Sequence, residues 1–147
     1  MNLCKMLIAC GIVCSSCQTY YVSVFKQKID RNYLASSHIG SPDPRQKNPP
    51  YGQMLTIDWN IPKSILDQHP KIVLDVIYWD NTHDVLYFPI DSRIGYTCYK
   101  LLNETYEAKK GFLAYKAHIV TENGTIYREW THQLWVHWIQ EEEVLSY

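Results

Sequence analysis

Residues 55–61 alternate strictly: Leu55, Ile57, Trp59 and Ile61 are separated by Thr56, Asp58 and Asn60, and Pro62 closes the run. Period two over this length predicts a strand with one buried face. Residues 64–68 allow one helical turn before Pro70. Residues 71–79 place Ile72, Leu74, Val76 and Tyr78 on one face and Val73, Asp75, Ile77 and Trp79 on the other. Both faces are largely apolar, as a central strand requires. Asp80, Asn81, Thr82, His83 and Asp84 compose a turn, which leads into a strand over 85–90. Residues 93–102 read as another strand, and 103–110 as a short helix or crossing loop ended by Gly111. Asn123-Gly124 then predicts a β-hairpin with a two-residue type I′ turn. Such a turn sets Glu122 opposite Thr125, Val120 opposite Tyr127, His118 opposite Glu129 and Lys116 opposite Thr131. It turns Leu113, Tyr115, Ala117, Ile119, Ile126, Trp130 and Leu134 towards the core. The run 134–139 is apolar on both faces. It is either buried deep in the fold or exposes aromatics at a partner surface, which makes Trp135 and Trp138 candidate binding residues.

Ahead of these elements, residues 19–29 mix β-branched and aromatic side chains and suit an edge strand. Residues 36–52 hold four prolines and two glycines, a composition that rules out long regular structure. They form a semi-rigid tether or an ordered loop. The specific turn sequences Ser41-Pro42-Asp43-Pro44-Arg45 and Asn48-Pro49-Pro50-Tyr51-Gly52 favour the loop. Six to eight short strands without a long helix predict an all-β antiparallel sandwich. Over residues 53–139, the alternating aromatics entered after a crossing loop at Gly111 resemble the late strands of an immunoglobulin-like or fibronectin-type β-sandwich, without the paired cysteines of true immunoglobulin domains. The expected organisation is a signal peptide over 1–16, a lipidated N-terminus with edge strand and loop over 17–52, the sandwich over 53–140 and an acidic tail over 141–147.

The leader changes the picture most. One positive charge within residues 1–5, an apolar stretch over 6–13 and small residues up to Cys17 follow the layout of a secretory signal. The apolar stretch is short of the roughly 20 residues that span a bilayer. Ser15-Ser16-Cys17 resembles the end of a bacterial lipoprotein signal, where small residues precede a cysteine that takes lipid. Cys14 stands where such signals usually carry an aliphatic residue. Leu7-Ile8-Ala9-Cys10 matches the letters better but leaves only nine residues ahead of Cys10. Cys17 is therefore preferred as the lipidation site over Cys10 and Cys14. The resemblance implies an acylated chain in a bacterial cell envelope, palmitate included, and Gln18 after the cysteine implies the outer membrane rather than the inner. The Ser-Pro-Asp-Pro-Arg loop and the run from Arg128 to Val136 also resemble small lipoproteins of the chlamydial type, which implies no activity. Two alternatives stay open: an uncleaved signal anchor over residues 6–25, which carry no charge but several polar side chains, and a cytosolic chain with an apolar N-terminus.

Of five cysteines, only Cys98 lies outside the leader, so the body must hold together without an internal disulfide. Cys98 is expected as a small buried hydrophobe. About 130 residues after the leader, 46% hydrophobic and 14% aromatic overall, suffice for one packed domain. A net charge of −1 excludes a general nucleic-acid binder. Basic residues between Lys26 and Lys47 lie near the proposed anchor and suit an anionic membrane surface or simple solvation.

No phosphate loop, nucleophile elbow, zinc-protease helix or dinucleotide fingerprint occurs. The scattered histidines argue against a metal, no cofactor is implied, and His118 with Glu129 reads as a cross-strand pair rather than an acid/base couple. Asn103-Glu104-Thr105 and Asn123-Gly124-Thr125 fit the glycosylation pattern but stay unmodified in a bacterial lipoprotein. The expected function is a non-catalytic, lipid-anchored binding or structural module with a membrane partner and an envelope protein or glycan partner. A carbohydrate- or peptidoglycan-binding module is the alternative, since five tryptophans and twelve tyrosines can supply stacking platforms. A small hydrolase comes third.

Overall fold

The computed structural model describes residues 19–135. Seven strands lie in that range: β1 (Tyr21–Ile29), β2 (Gly52–Asn60), β3 (Lys71–Tyr78), β4 (His83–Pro89), β5 (Ile94–Leu102), β6 (Phe112–Val120) and β7 (Ile126–Thr131). Short helices α1 (Ala35–Ile39), α2 (Lys63–Leu66) and α3 (Asn103–Lys109) connect them. The strands form two antiparallel sheets, β1-β2-β5 and β4-β3-β6-β7, packed as a sandwich. The fourth strand pairs with the third instead of crossing to the first sheet, which departs from the constant-type immunoglobulin arrangement.

Alternation explains the core. Leu55, Ile57 and Trp59 from β2 and Ile72, Leu74, Val76 and Tyr78 from β3 meet Tyr115, Ala117 and Ile119 from β6 between the sheets. β3 is central, flanked by β4 and β6. The expected edge strand is β1, which adds Val22, Val24 and Ile29 to the buried set, so packing starts well before Gln53.

Residues 30–51 are an ordered loop. Asp43 caps a 3₁₀ turn over Pro44–Gln46 and its carboxylate accepts from Ser36 Oγ at 3.0 Å and Arg45 Nη2 at 2.9 Å. Hydrogen bonds from Arg45 are the main reason the Asp43 carboxyl falls to about 2. That pairing accounts for the unusual Ser-Pro-Asp-Pro-Arg sequence.

The hairpin differs from expectation at its tip. Asn123 does not take positive φ; only Gly124 does, at +83°, and Gly124 N–H donates to Thr121 O while Thr121 N–H donates to Thr125 O. The loop is thus the three-residue Glu122-Asn123-Gly124 form with glycine in the left-handed position. A register shift between Ile119 and Val120 compensates for the extra residue. His118 consequently faces Glu129 and Lys116 faces Thr131 as expected, but Val120 pairs with Ile126. The shift sends Ile126 outward, 55% exposed, and packs Tyr127 against the core instead. Leu134 also departs from the expected core set, because β7 ends at Thr131 and the chain turns away. Cys98 likewise lies on an outer face, half-buried, with Sγ 3.7 Å from Thr56 Oγ1. Its parity on β5 places it opposite Thr56 rather than opposite a core residue.

Candidate binding surface

On the outer face of the β1-β2-β5 sheet, large exposed side chains of the two outer strands flank small polar ones of the middle strand, and we term this arrangement the trough. Since β2 gives Leu55, Ile57 and Trp59 to the core, period two turns Thr56, Asp58 and Asn60 outward as its floor. The registers on either side are fixed. Asn60 lies between Tyr21 and Ile94, Asp58 between Ser23 and Tyr96, and Thr56 between Phe25 and Cys98. The walls stand about 9.5 Å apart, two strand spacings, and their large side chains are uncovered: Tyr96 is 73% exposed, Ile94 63%, Phe25 60% and Tyr21 39%. At one end the trough is closed by the loop, where Tyr33 donates to Met54 Sδ at 3.9 Å and Met54 is buried.

The floor is short of donors. Asn60 Nδ2 donates to Thr19 O at 3.0 Å, but Asn60 Oδ1 and Asp58 Oδ1 are both closed to solvent and, among the described residues, have no hydrogen-bond partner. Among the described residues, no Lys, Arg or His pairs with Asp58. An unpaired buried acceptor costs about 1–3 kcal/mol, so this strand carries two groups that the described residues leave unsatisfied.

The outer face of the second sheet is different. Asp75 on β3 stands 3.7 Å from His83 Nε2 on β4 and 3.7 Å from His118 Nδ1 on β6, with Glu129 of β7 beyond His118. Among the described residues neither imidazole bonds a hydroxyl or thiol that would serve as a nucleophile, and no group of three His, Cys, Asp or Glu is placed to hold a metal ion. After β7 the chain doubles back over this face. Trp135 packs on Leu113, Ala114 and Ile77, only 8% exposed, with Lys116 Nζ 5.4 Å from its ring centroid. Trp135 therefore anchors the returning chain and does not present a free ring. Trp138, Cys17, Cys10 and Cys14 lie outside the described residues.

Burial depresses the pKa of His118 despite the pull of Asp75 and Glu129, and Lys116 adds to the depression. His83, across Asp75, shares that carboxylate. A histidine with a lowered folded pKa favours the neutral form, so its contribution is intact above the unfolded value near 6.5 and is lost as pH falls below it. Urea midpoints are expected to drop between pH 7.5 and 5.5, and His118→Gln to shrink the drop; an undiminished drop in the variant contradicts the assignment.

A third polar cluster lies inside one end of the sandwich. Tyr78 Oη donates to Asp84 Oδ2 at 2.9 Å and shares a 2.8 Å bond with Tyr99 Oη, while Lys109 Nζ sits 4.3 Å from the centroid of the Tyr78 ring and 3.4 Å from Asp84 Oδ2. Burial first, then these bonds, hold the Tyr78 phenol far above its ordinary range. The cluster fastens α3 to the β3–β4 turn, where Lys109 Nζ also donates to Thr82 Oγ1 at 2.8 Å.

Sequence reasoning did not find the trough. Tyr21, Phe25, Ile94 and Tyr96 do occupy the outward parity of their strands, which is the signal available, but only the strand order brings them together. Comparisons with protein-family models, with curated proteins and with solved structures found no match to this chain.

Proposed function

We propose that the chain is a lipid-anchored binding module of a bacterial cell envelope, acylated on Cys17 and without catalytic activity. The observation that carries this reading is the leader, in which a charged start, an apolar stretch and Ser15-Ser16-Cys17 stand directly ahead of the first strand. β1 begins at Tyr21, four residues after Cys17, a reach of at most about 14 Å. An anchor there holds one end of the sandwich at the membrane, the end with α2 and the β4–β5 and β6–β7 connections. The loop over 30–51 and α3, at the opposite end, point away, and the trough stands along the side. In this reading attachment rests on the acyl chains; among the described residues no helix is long and apolar enough to cross a membrane. More than one chain gives stable attachment.

The test is Cys17→Ser in the full chain. The native protein is expected to sediment quantitatively with membranes at high salt, and the variant to lose most of that attachment. A variant that sediments as firmly as the native chain overturns the anchor.

A further inference from the structure

We propose that the trough on the β1-β2-β5 sheet binds a glycan, its ring faces against the aromatic walls and its hydroxyls donating to the floor. The proposal rests on the reading of the chain as a binding module and is independent of the anchor.

Three observations support a polyhydroxylated ligand. The first is the pair of unsatisfied acceptors, Asp58 Oδ1 and Asn60 Oδ1. They belong to residues two apart on one strand, about 6.7 Å along its axis. A sugar chain offers neutral hydroxyl donors at successive spacings along such a row. The second is the composition of the floor. Besides the Asp58 carboxylate it holds the Asn60 amide and the Thr56 hydroxyl, with Ser23 beside Asp58 on β1, groups that pair with neutral donors and acceptors. The third is the wall. Tyr96, Phe25 and Tyr21 are large rings left in solvent on a sheet whose other face is packed, and a ring with one apolar face suits the C–H faces of a pyranose. Both floor oxygens are closed to solvent, so ligand entry requires neighbouring side chains to shift, and the high exposure of Tyr96 and Ile94, which lie beside Asp58 and Asn60 in register, gives those two room to do so.

The structural alternative is that Asp58 stabilises the sheet. The two roles predict opposite effects on folding. Removing an unsatisfied buried acceptor is neutral or stabilising, so Asp58→Ala is expected to leave the urea midpoint unchanged or raise it while weakening glycan binding. A lowered midpoint makes Asp58 a structural residue and overturns its part in the site.

The experiment is calorimetric titration of the full-length protein in detergent with two soluble probes, a β-1,4-linked N-acetylglucosamine tetramer and a β-1,4-linked glucose tetramer. Saturable binding of at least one is expected, unchanged between about 0.05 and 0.5 M salt, where Debye screening changes severalfold. Tyr96→Ala and Asp58→Ala are expected to weaken it by about tenfold or more, and Tyr87→Ala, on the outer face of the other sheet, to leave it unchanged. Near-ultraviolet circular dichroism checks that each variant keeps the native fold. Absence of binding to both probes overturns the proposal. So does salt-sensitive binding of an oligolysine peptide that Tyr96→Ala abolishes, which assigns the trough to a cationic protein partner. Binding by a chain whose Cys17 proves unmodified removes the anchor and leaves the glycan site standing. An acylated chain that binds neither probe does the reverse.

Discussion

Replacing Phe112 by alanine is expected to lower the free energy of unfolding by about 3–5 kcal/mol. The ring is 1% exposed and fills the space between the sheets, with ring centroids of Tyr99 at 5.8 Å, Tyr78 at 5.9 Å and Tyr115 at 6.4 Å. Its own N–H donates to Gln53 Oε1 at 2.9 Å, so β6 is tied to the opposite sheet at this point and cannot collapse into the cavity. The loss is a large share of the roughly 5–15 kcal/mol that holds such a domain, and this chain has no internal disulfide among the described residues to offset it. Urea unfolding followed by aromatic fluorescence measures the difference. Phe112→Leu, which keeps most of the volume, is expected to cost less than half as much. A loss under about 1 kcal/mol for the alanine variant contradicts the packing described.

Gly52→Ala is expected to rival that loss although it adds a single methyl group. Gly52 has φ +145°, and a Cβ there would lie 2.1 Å from the carbonyl oxygen of Leu101. The neighbour is backbone, held in the β2–β5 ladder, and Ile29 of β1 pairs on the other side. Neither strand can give way without breaking hydrogen bonds, so strain of about 1–3 kcal/mol from the conformation is joined by the overlap. Gly124→Ala supplies the contrast. Gly124 has φ +83° with nothing within 4 Å of an added Cβ, so the backbone term alone remains, about 1 kcal/mol. Equal losses for the two variants contradict the close approach at Gly52.

Much of the fold was legible because each strand keeps its own alternation. Leu55, Ile57 and Trp59 are buried as their spacing predicts, and Ile72, Leu74, Val76 and Tyr78 form the middle of the second sheet. The pairing of His118 with Glu129 follows from the hairpin alone. The tip was misjudged because Asn-Gly also fits a three-residue loop in which only glycine needs positive φ, and a compensating bulge leaves the distant register unchanged. That bulge alone reverses Ile126 and Tyr127. The trough was illegible for a different reason. Tyr21 and Phe25 share a face with Ile94 and Tyr96 through β2, and nothing local in the sequence encodes the strand order β1-β2-β5. Asp75, His83 and His118 meet across three strands for the same reason. The trough's polar floor also resembles any solvated strand face until the missing donors are counted.

The proposed acylation of Cys17 is tested most directly by intact-mass spectrometry of protein extracted from membranes. The expected result is a chain that begins at Cys17 and is heavier than the bare polypeptide by the mass of its acyl groups. An unmodified mass for Met1 to Tyr147 contradicts it.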